Sequence, residues 1–164
     1  ALPISSWGYE VIDELNRLGM VVDLAHISPA GFFAVLEHTT VPPVVSHANA
    51  RVLCDHPRNL TDQQLRALAR VGGVAGITFV PEFVAERGAS IAGLVNHIRH
   101  MINVMGEDHV ALGSDFDGTD TTVISEVGQL PELEQEMRKQ GLTSGQIEKI
   151  LRTNWLGLLR NVLK

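Results

Sequence analysis

The sequence predicts an α/β domain built on a parallel sheet, and three observations predict it. Four apolar runs of strand length occur, over residues 20–25, 43–47, 74–80 and 109–114, too short for buried helices. Amphipathic stretches of helical period separate them, and strand centres about 20 to 35 residues apart leave room for crossover helices rather than hairpins. Three of the runs also end on a residue that binds metals or moves protons: Val21-Val22-Asp23-Leu24-Ala25-His26, Pro43-Val44-Val45-Ser46-His47 and Val110-Ala111-Leu112-Gly113-Ser114-Asp115. In parallel sheets and barrels chemistry gathers at the C-terminal strand ends, so His26, His47 and Asp115 are expected on one rim.

A first helix is predicted over residues 7–18, with Val11, Ile12, Leu15 and Leu18 on one face and Glu10, Asp13, Glu14 and Arg17 on the other. Gly19 supplies the left-handed stop before the first strand. Ser28-Pro29 opens a second helix, with serine as cap and proline at its first position, ending near His38. After the second strand, residues 48–60 lack a period and read as loop. Thr61 with Gln64 forms a capping box for a helix that buries Leu65, Leu68 and Val71 and stops at Gly72-Gly73. The third strand is thinned at Gly76, where backbone or ligand comes close. Residues 81–89 read as loop. A helix over 90–105 follows, with Ile91, Leu94, Val95, Ile98 and Ile102 as its stripe. The fourth strand gives way to a loop over 116–128, rich in Asp, Thr and Gly. Two last helices fit 131–140 and 143–163, the second opened by a Thr143–Gln146 capping box.

The 164 residues suit one domain with a real core. A formal charge of −6 disfavours a nucleic-acid partner, which requires clustered Lys and Arg. No apolar run approaches the roughly 20 residues of a membrane span, and no signal peptide is visible, so a cytoplasmic location is favoured. One cysteine, Cys54, excludes an internal disulfide. No Gly-rich phosphate loop and no Gly-x-Ser-x-Gly elbow occurs, which sets nucleotide and serine-nucleophile chemistry aside.

Each candidate residue admits two roles. His26 and His47 are either zinc ligands or loop caps. Neighbouring parallel strands put equivalent ends about 4.8 Å apart, close enough for two imidazoles to share one metal. Asp115 is either a ligand or base at the strand end or the cap of a turn. Arg58, in Asp55-His56-Pro57-Arg58-Asn59, grips a carboxylate with two parallel hydrogen bonds or is a surface charge. Asp23 either supports His26 or pairs with a core group. His97 and His100, three apart on a helix, either chelate or form a solvated or half-buried face.

The motifs Asp23-Leu24-Ala25-His26-Ile27-Ser28, Pro43-Val44-Val45-Ser46-His47-Ala48, Arg58-Asn59-Leu60 and Gly113-Ser114-Asp115-Phe116-Asp117-Gly118 stand in the order of the membrane (renal-type) dipeptidase family of zinc peptidases. Leu15-Asn16-Arg17-Leu18-Gly19-Met20 and Asn154-Trp155-Leu156-Gly157 are similar in style, so the chain resembles that family throughout. The resemblance implies a (β/α)₈ TIM barrel of metal-dependent hydrolase type. Two zinc ions there are bridged by a carboxylate and a hydroxide that cleaves dipeptides. It implies His26 and His47 as metal ligands, Arg58 as the holder of the dipeptide's terminal carboxylate, and Asp115 as the catalytic group that orients or deprotonates the water.

The resemblance also implies that residues 1–164 form a single segment, strands five to eight and the tail helices of the barrel. The N-terminal half, with a His-x-Asp pair, a bridging glutamate and a further histidine, is then absent from this chain, and the chain alone is expected to be inactive. Four strands leave two open edges. The expected partners are therefore a dipeptide, the N-terminal half on the same or a separate chain, and a second copy. Two other functions stay open: a non-catalytic barrel homologue acting as a binding or assembly subunit, and a metal-dependent hydrolase of lactones or cyclic amides.

Overall fold

A computed structural model describes residues 4–164. At its centre lies a parallel sheet of β1 (Val44–Val45), β2 (Val74–Thr78) and β3 (Val110–Ser114), in that order. Val44 stands opposite Val74, and Ala75 opposite Val110. The first expected strand is reduced to one parallel bridge, Asp23 to Val44. Around it Leu24 N–H donates to the Val44 carbonyl at 2.8 Å and Val44 N–H donates to Val22 at 2.9 Å. Four apolar segments therefore lie side by side in chain order, as expected, but the first two leave the ladder early. The chain turns at Ala25-His26 and bends at Ser46-His47, and these departures carry the two histidines away from the pleat.

The helices start where their caps dictate. In α1 (Ser6–Leu18) the Ser5 hydroxyl accepts from Gly8, and Gly19 closes the helix at φ 71°. In α2 (Pro29–His38) Ser28 accepts from Gly31. In α3 (Asp62–Arg70) both halves of the Thr61–Gln64 capping box form. Residues 81–89, expected as loop, open with one helical turn, α4 (Pro81–Val84), which begins on proline. α5 (Ile91–Met105) buries Leu94, Val95, Ile98 and Met101 completely against Leu65, Leu68 and Ile77. Its buried face also takes in His97, which the apolar pattern alone did not place there.

α6 (Leu130–Lys139) follows the long loop. The single helix expected over 143–163 is divided into α7 (Ser144–Glu148), a π-helical turn over Lys149–Thr153, and α8 (Asn154–Val162). The wider turn shifts the ladder where the tail meets β3. Asn154 Nδ2 donates to the carbonyls of Glu107 at 2.7 Å and Val110 at 2.8 Å, and Trp155 Nε1 donates to Leu112 at 2.8 Å. Among the described residues no helix is long and apolar enough to cross a membrane.

Candidate active site

The strand ends converge. His26 and His47 approach Nε2 to Nε2 at 2.9 Å, and His47 Nε2 lies 3.9 Å from Asp115 Oδ2. The three side chains that sequence reasoning assigned to one rim therefore meet there. Backbone strain marks the same place. Every non-glycine residue with positive φ among the described residues lies at this rim: His26 (68°), Ser114 (27°), Asp115 (71°) and Asp117 (65°). Such conformations cost about 1–3 kcal/mol each and persist only where surroundings enforce them.

Two glycines explain how His47 arrives. After Val45 the chain does not continue along the sheet; the Ser46 carbonyl presses against the backbones of Gly76 on β2 and Gly113 on β3. A Cβ at either glycine would collide with that carbonyl. The ladder between β2 and β3 breaks register here, Ile77 pairing with Leu112 but Thr78 with Ser114, so Gly113 is the extra residue. Ala48 N–H then donates to the Gly76 carbonyl at 2.8 Å and fixes the crossing. The Ser46 hydroxyl holds His47 Nδ1 at 2.7 Å, leaving Nε2 directed at His26.

Arg58 stands on a loop that is far more ordered than its sequence suggested. Asn49 and Asn59 of the loop are buried polar residues, as is His97, which reaches it from α5. Asn59 Oδ1 accepts from Asn49 N–H at 3.0 Å, and Asn59 Nδ2 donates to the carbonyls of Cys54 and Phe83. Asn49 bonds both backbone groups of Thr78 on β2. His97 Nδ1 accepts from Ala50 N–H at 3.0 Å, and its Nε2–H donates to the Val84 carbonyl at 2.9 Å. Sequence reasoning missed this network. A polar run without period carries no helical or strand signal, and its partners lie on β2 and α5, distant in the chain.

The Arg58 guanidinium lies 5.7 Å from the centre of the Phe83 ring and makes no ion pair at contact distance among the described residues. Burial lowers its pKa while the carboxylates of Asp115 and Asp23 oppose that shift. With His26, His47 and Arg51 it lines a cavity of about 140 Å³, room for one end of a small ligand. A more open hollow of about 580 Å³ lies beyond Asp115 along the 116–127 loop.

The donor set fits a metal ion in part. Two imidazole nitrogens bound to one zinc at about 2.0–2.1 Å and a tetrahedral angle lie roughly 3.3 Å apart, close to the separation found. Burial lowers the pKa of His47, with Arg58 and His26 adding to the effect and Asp115 opposing it, which favours the neutral form a metal needs. No third His, Cys, Asp or Glu completes a metal-holding group among the described residues.

The remaining histidines do not join this site. His100 bonds Asp62 at 2.7 Å, so it does not chelate with His97. His38 pairs with Asp13, His56 stacks on Phe83, and His109 bonds the Gly73 carbonyl. Cys54 is buried with its thiol donated to the Glu82 carbonyl.

A Klebsiella pneumoniae protein described as an uncharacterized protein in the pqqA 5'region is 42% identical over 97% of this chain, which covers 61% of that protein. The dipeptidase tcpJ of Claviceps purpurea is 34% identical over 97% of the chain, covering 38% of its length. A metallo peptidase from Rhodobacter sphaeroides, liganded with a phosphinate mimic of the dipeptide L-Ala-D-Ala, superposes with a TM-score of 0.91 at 35% identity. That match takes in 96% of this chain and 47% of that one. The chain thus spans roughly half the length of the relatives it matches. Its parallel strands and helices correspond to part of the TIM-barrel fold of these metallopeptidases. The family model of the membrane dipeptidases matches residues 3–164. The chain accordingly belongs to the membrane dipeptidase family, peptidase family M19.

Proposed function

We propose that this chain carries half of the catalytic rim of a zinc-dependent dipeptidase. The observation that carries the proposal is the approach of His26 Nε2 and His47 Nε2 to 2.9 Å beside Asp115, in a family whose relatives are named dipeptidases. His26 and His47 would hold the metal through Nε2. A bound zinc ion supplies Lewis-acid polarisation and acidifies water towards neutral pKa. Catalytic zinc ordinarily has three protein ligands, so the proposal places the remaining ligands in sequence beyond these 164 residues, as the greater length of the relatives allows.

The residues of this chain divide the other work. Arg58 receives the free carboxylate of the dipeptide through its guanidinium fork, which fixes the distance from that carboxylate to the scissile bond. Asp115 Oδ2 accepts the proton of the attacking water and can return it to the leaving amine. The cavity beside Arg58 and His47 seats the C-terminal residue.

The test uses the full-length protein. Chelator-stripped enzyme should lose dipeptide hydrolysis and regain it with zinc; unchanged turnover after stripping would contradict the proposal. Arg58→Ala should raise KM for dipeptides by about 10–100-fold, the worth of a charge-assisted pair, with a smaller change in kcat. It should also erase the preference for a free carboxylate over a C-terminal amide. Turnover of lactones or cyclic amides in place of dipeptides would assign the site to a different hydrolase.

A further inference from the structure

Asp23 serves neither as ligand nor as base in the site just described, yet one of its oxygens touches both turns that carry the paired imidazoles. Oδ1 accepts the N–H of Ala25 at 3.0 Å, the residue before His26. The same Oδ1 accepts the N–H of Ser46 at 2.9 Å, the residue before His47. These turns need such a tie. Their segments share only the Asp23–Val44 bridge, and beyond it β1 ends at Val45. His26 meanwhile sits at φ 68°, a conformation that relaxes unless it is held. From Ser46 the support continues through its hydroxyl to His47 Nδ1 at 2.7 Å.

We propose that Asp23 is the positioning residue of the metal site. Its single carboxylate oxygen joins the two turns so that both Nε2 atoms converge before any ion arrives. The effect works through hydrogen-bond geometry rather than through the negative charge. It rests on the metal role proposed for His26 and His47. Groups that orient metal ligands typically contribute about 10–100-fold in affinity.

Geometry and charge can be separated, because asparagine keeps an oxygen able to accept both N–H groups and loses only the charge. Zinc affinity of the full-length protein is measured by competition with a chromophoric chelator, alongside thermal unfolding of the metal-free forms. Asp23→Ala should bind zinc about 10–100-fold more weakly, while Asp23→Asn should stay within about threefold of the parent. An alanine variant that matches the parent overturns the inference, as does an asparagine variant that falls as far as alanine. If Asp23→Ala does not fold, the asparagine variant decides: retention supports the role and a loss beyond about tenfold overturns it. His26→Ala and His47→Ala are measured in parallel. Unchanged affinity in both would remove the metal reading itself, whatever Asp23 does.

Discussion

Asp115→Asn should lower kcat for dipeptide hydrolysis by about 10²–10⁴-fold, the usual worth of a positioned general base, while zinc content and KM change little. The substitution isolates proton transfer because it spares the backbone. Asp115 sits in the left-handed region at φ 71°, which asparagine tolerates as well as aspartate does. The turn beyond it is held by Gly118 N–H donating to the Asp115 carbonyl at 3.1 Å, a contact that the side-chain amide leaves alone. The amide cannot take a proton at Oδ2, the atom 3.9 Å from His47 Nε2. Single-turnover kinetics of the full-length protein at saturating dipeptide read the effect. A loss below about fivefold would show that another group accepts the proton.

His97→Ala should destabilise the protein by roughly 3–5 kcal/mol in urea unfolding. The imidazole satisfies two buried backbone groups from different elements, the N–H of Ala50 and the carbonyl of Val84. Truncation strands both, at about 1–3 kcal/mol each, and leaves a cavity in a face that is otherwise fully packed. A loss under about 1 kcal/mol would mean that water replaces both bonds.

The same residue gives the stability a pH dependence. Burial lowers the His97 pKa, with His100 adding to the shift and the hydrogen bond to Val84 opposing it. The unfolded chain therefore takes up a proton near the ordinary histidine pKa of about 6.5, where the folded state still refuses it. Stability falls as the pH drops below that value, until the folded pKa is reached. Unfolding between pH 7 and pH 5 should show a shallower slope in His97→Ala than in the parent.

The sequence made the alternation of strand and helix legible, because both periods are written in apolar residues. Caps such as Ser28, Thr61 and Thr143 were legible because each acts within one helical turn. His26, His47 and Asp115 could be placed on one rim because strand ends in a parallel sheet must share an edge. What stayed hidden depends on contacts distant in the chain. The first strand reads as six residues of apolar run, yet it shrinks to one bridge beside β1, which itself spans only Val44–Val45 before the chain bends at Ser46-His47. The loop over 48–60 carries no period, so nothing local announces that Asn49 and Asn59 would fill its interior. His97 is polar in a stripe of apolar residues, and only its partners 47 and 13 residues away explain its burial. Gly76 announced a close approach, but not that Ser46 would be the group approaching.

Anomalous diffraction at the zinc edge, from crystals of the full-length protein grown with Zn²⁺, tests the metal role of the paired imidazoles most directly. The expected result is a peak about 2.0–2.1 Å from Nε2 of both His26 and His47, with Asp115 facing it. A peak that contacts only one of the two imidazoles, or zinc bound elsewhere while His26 and His47 stay in direct contact with each other, would contradict it.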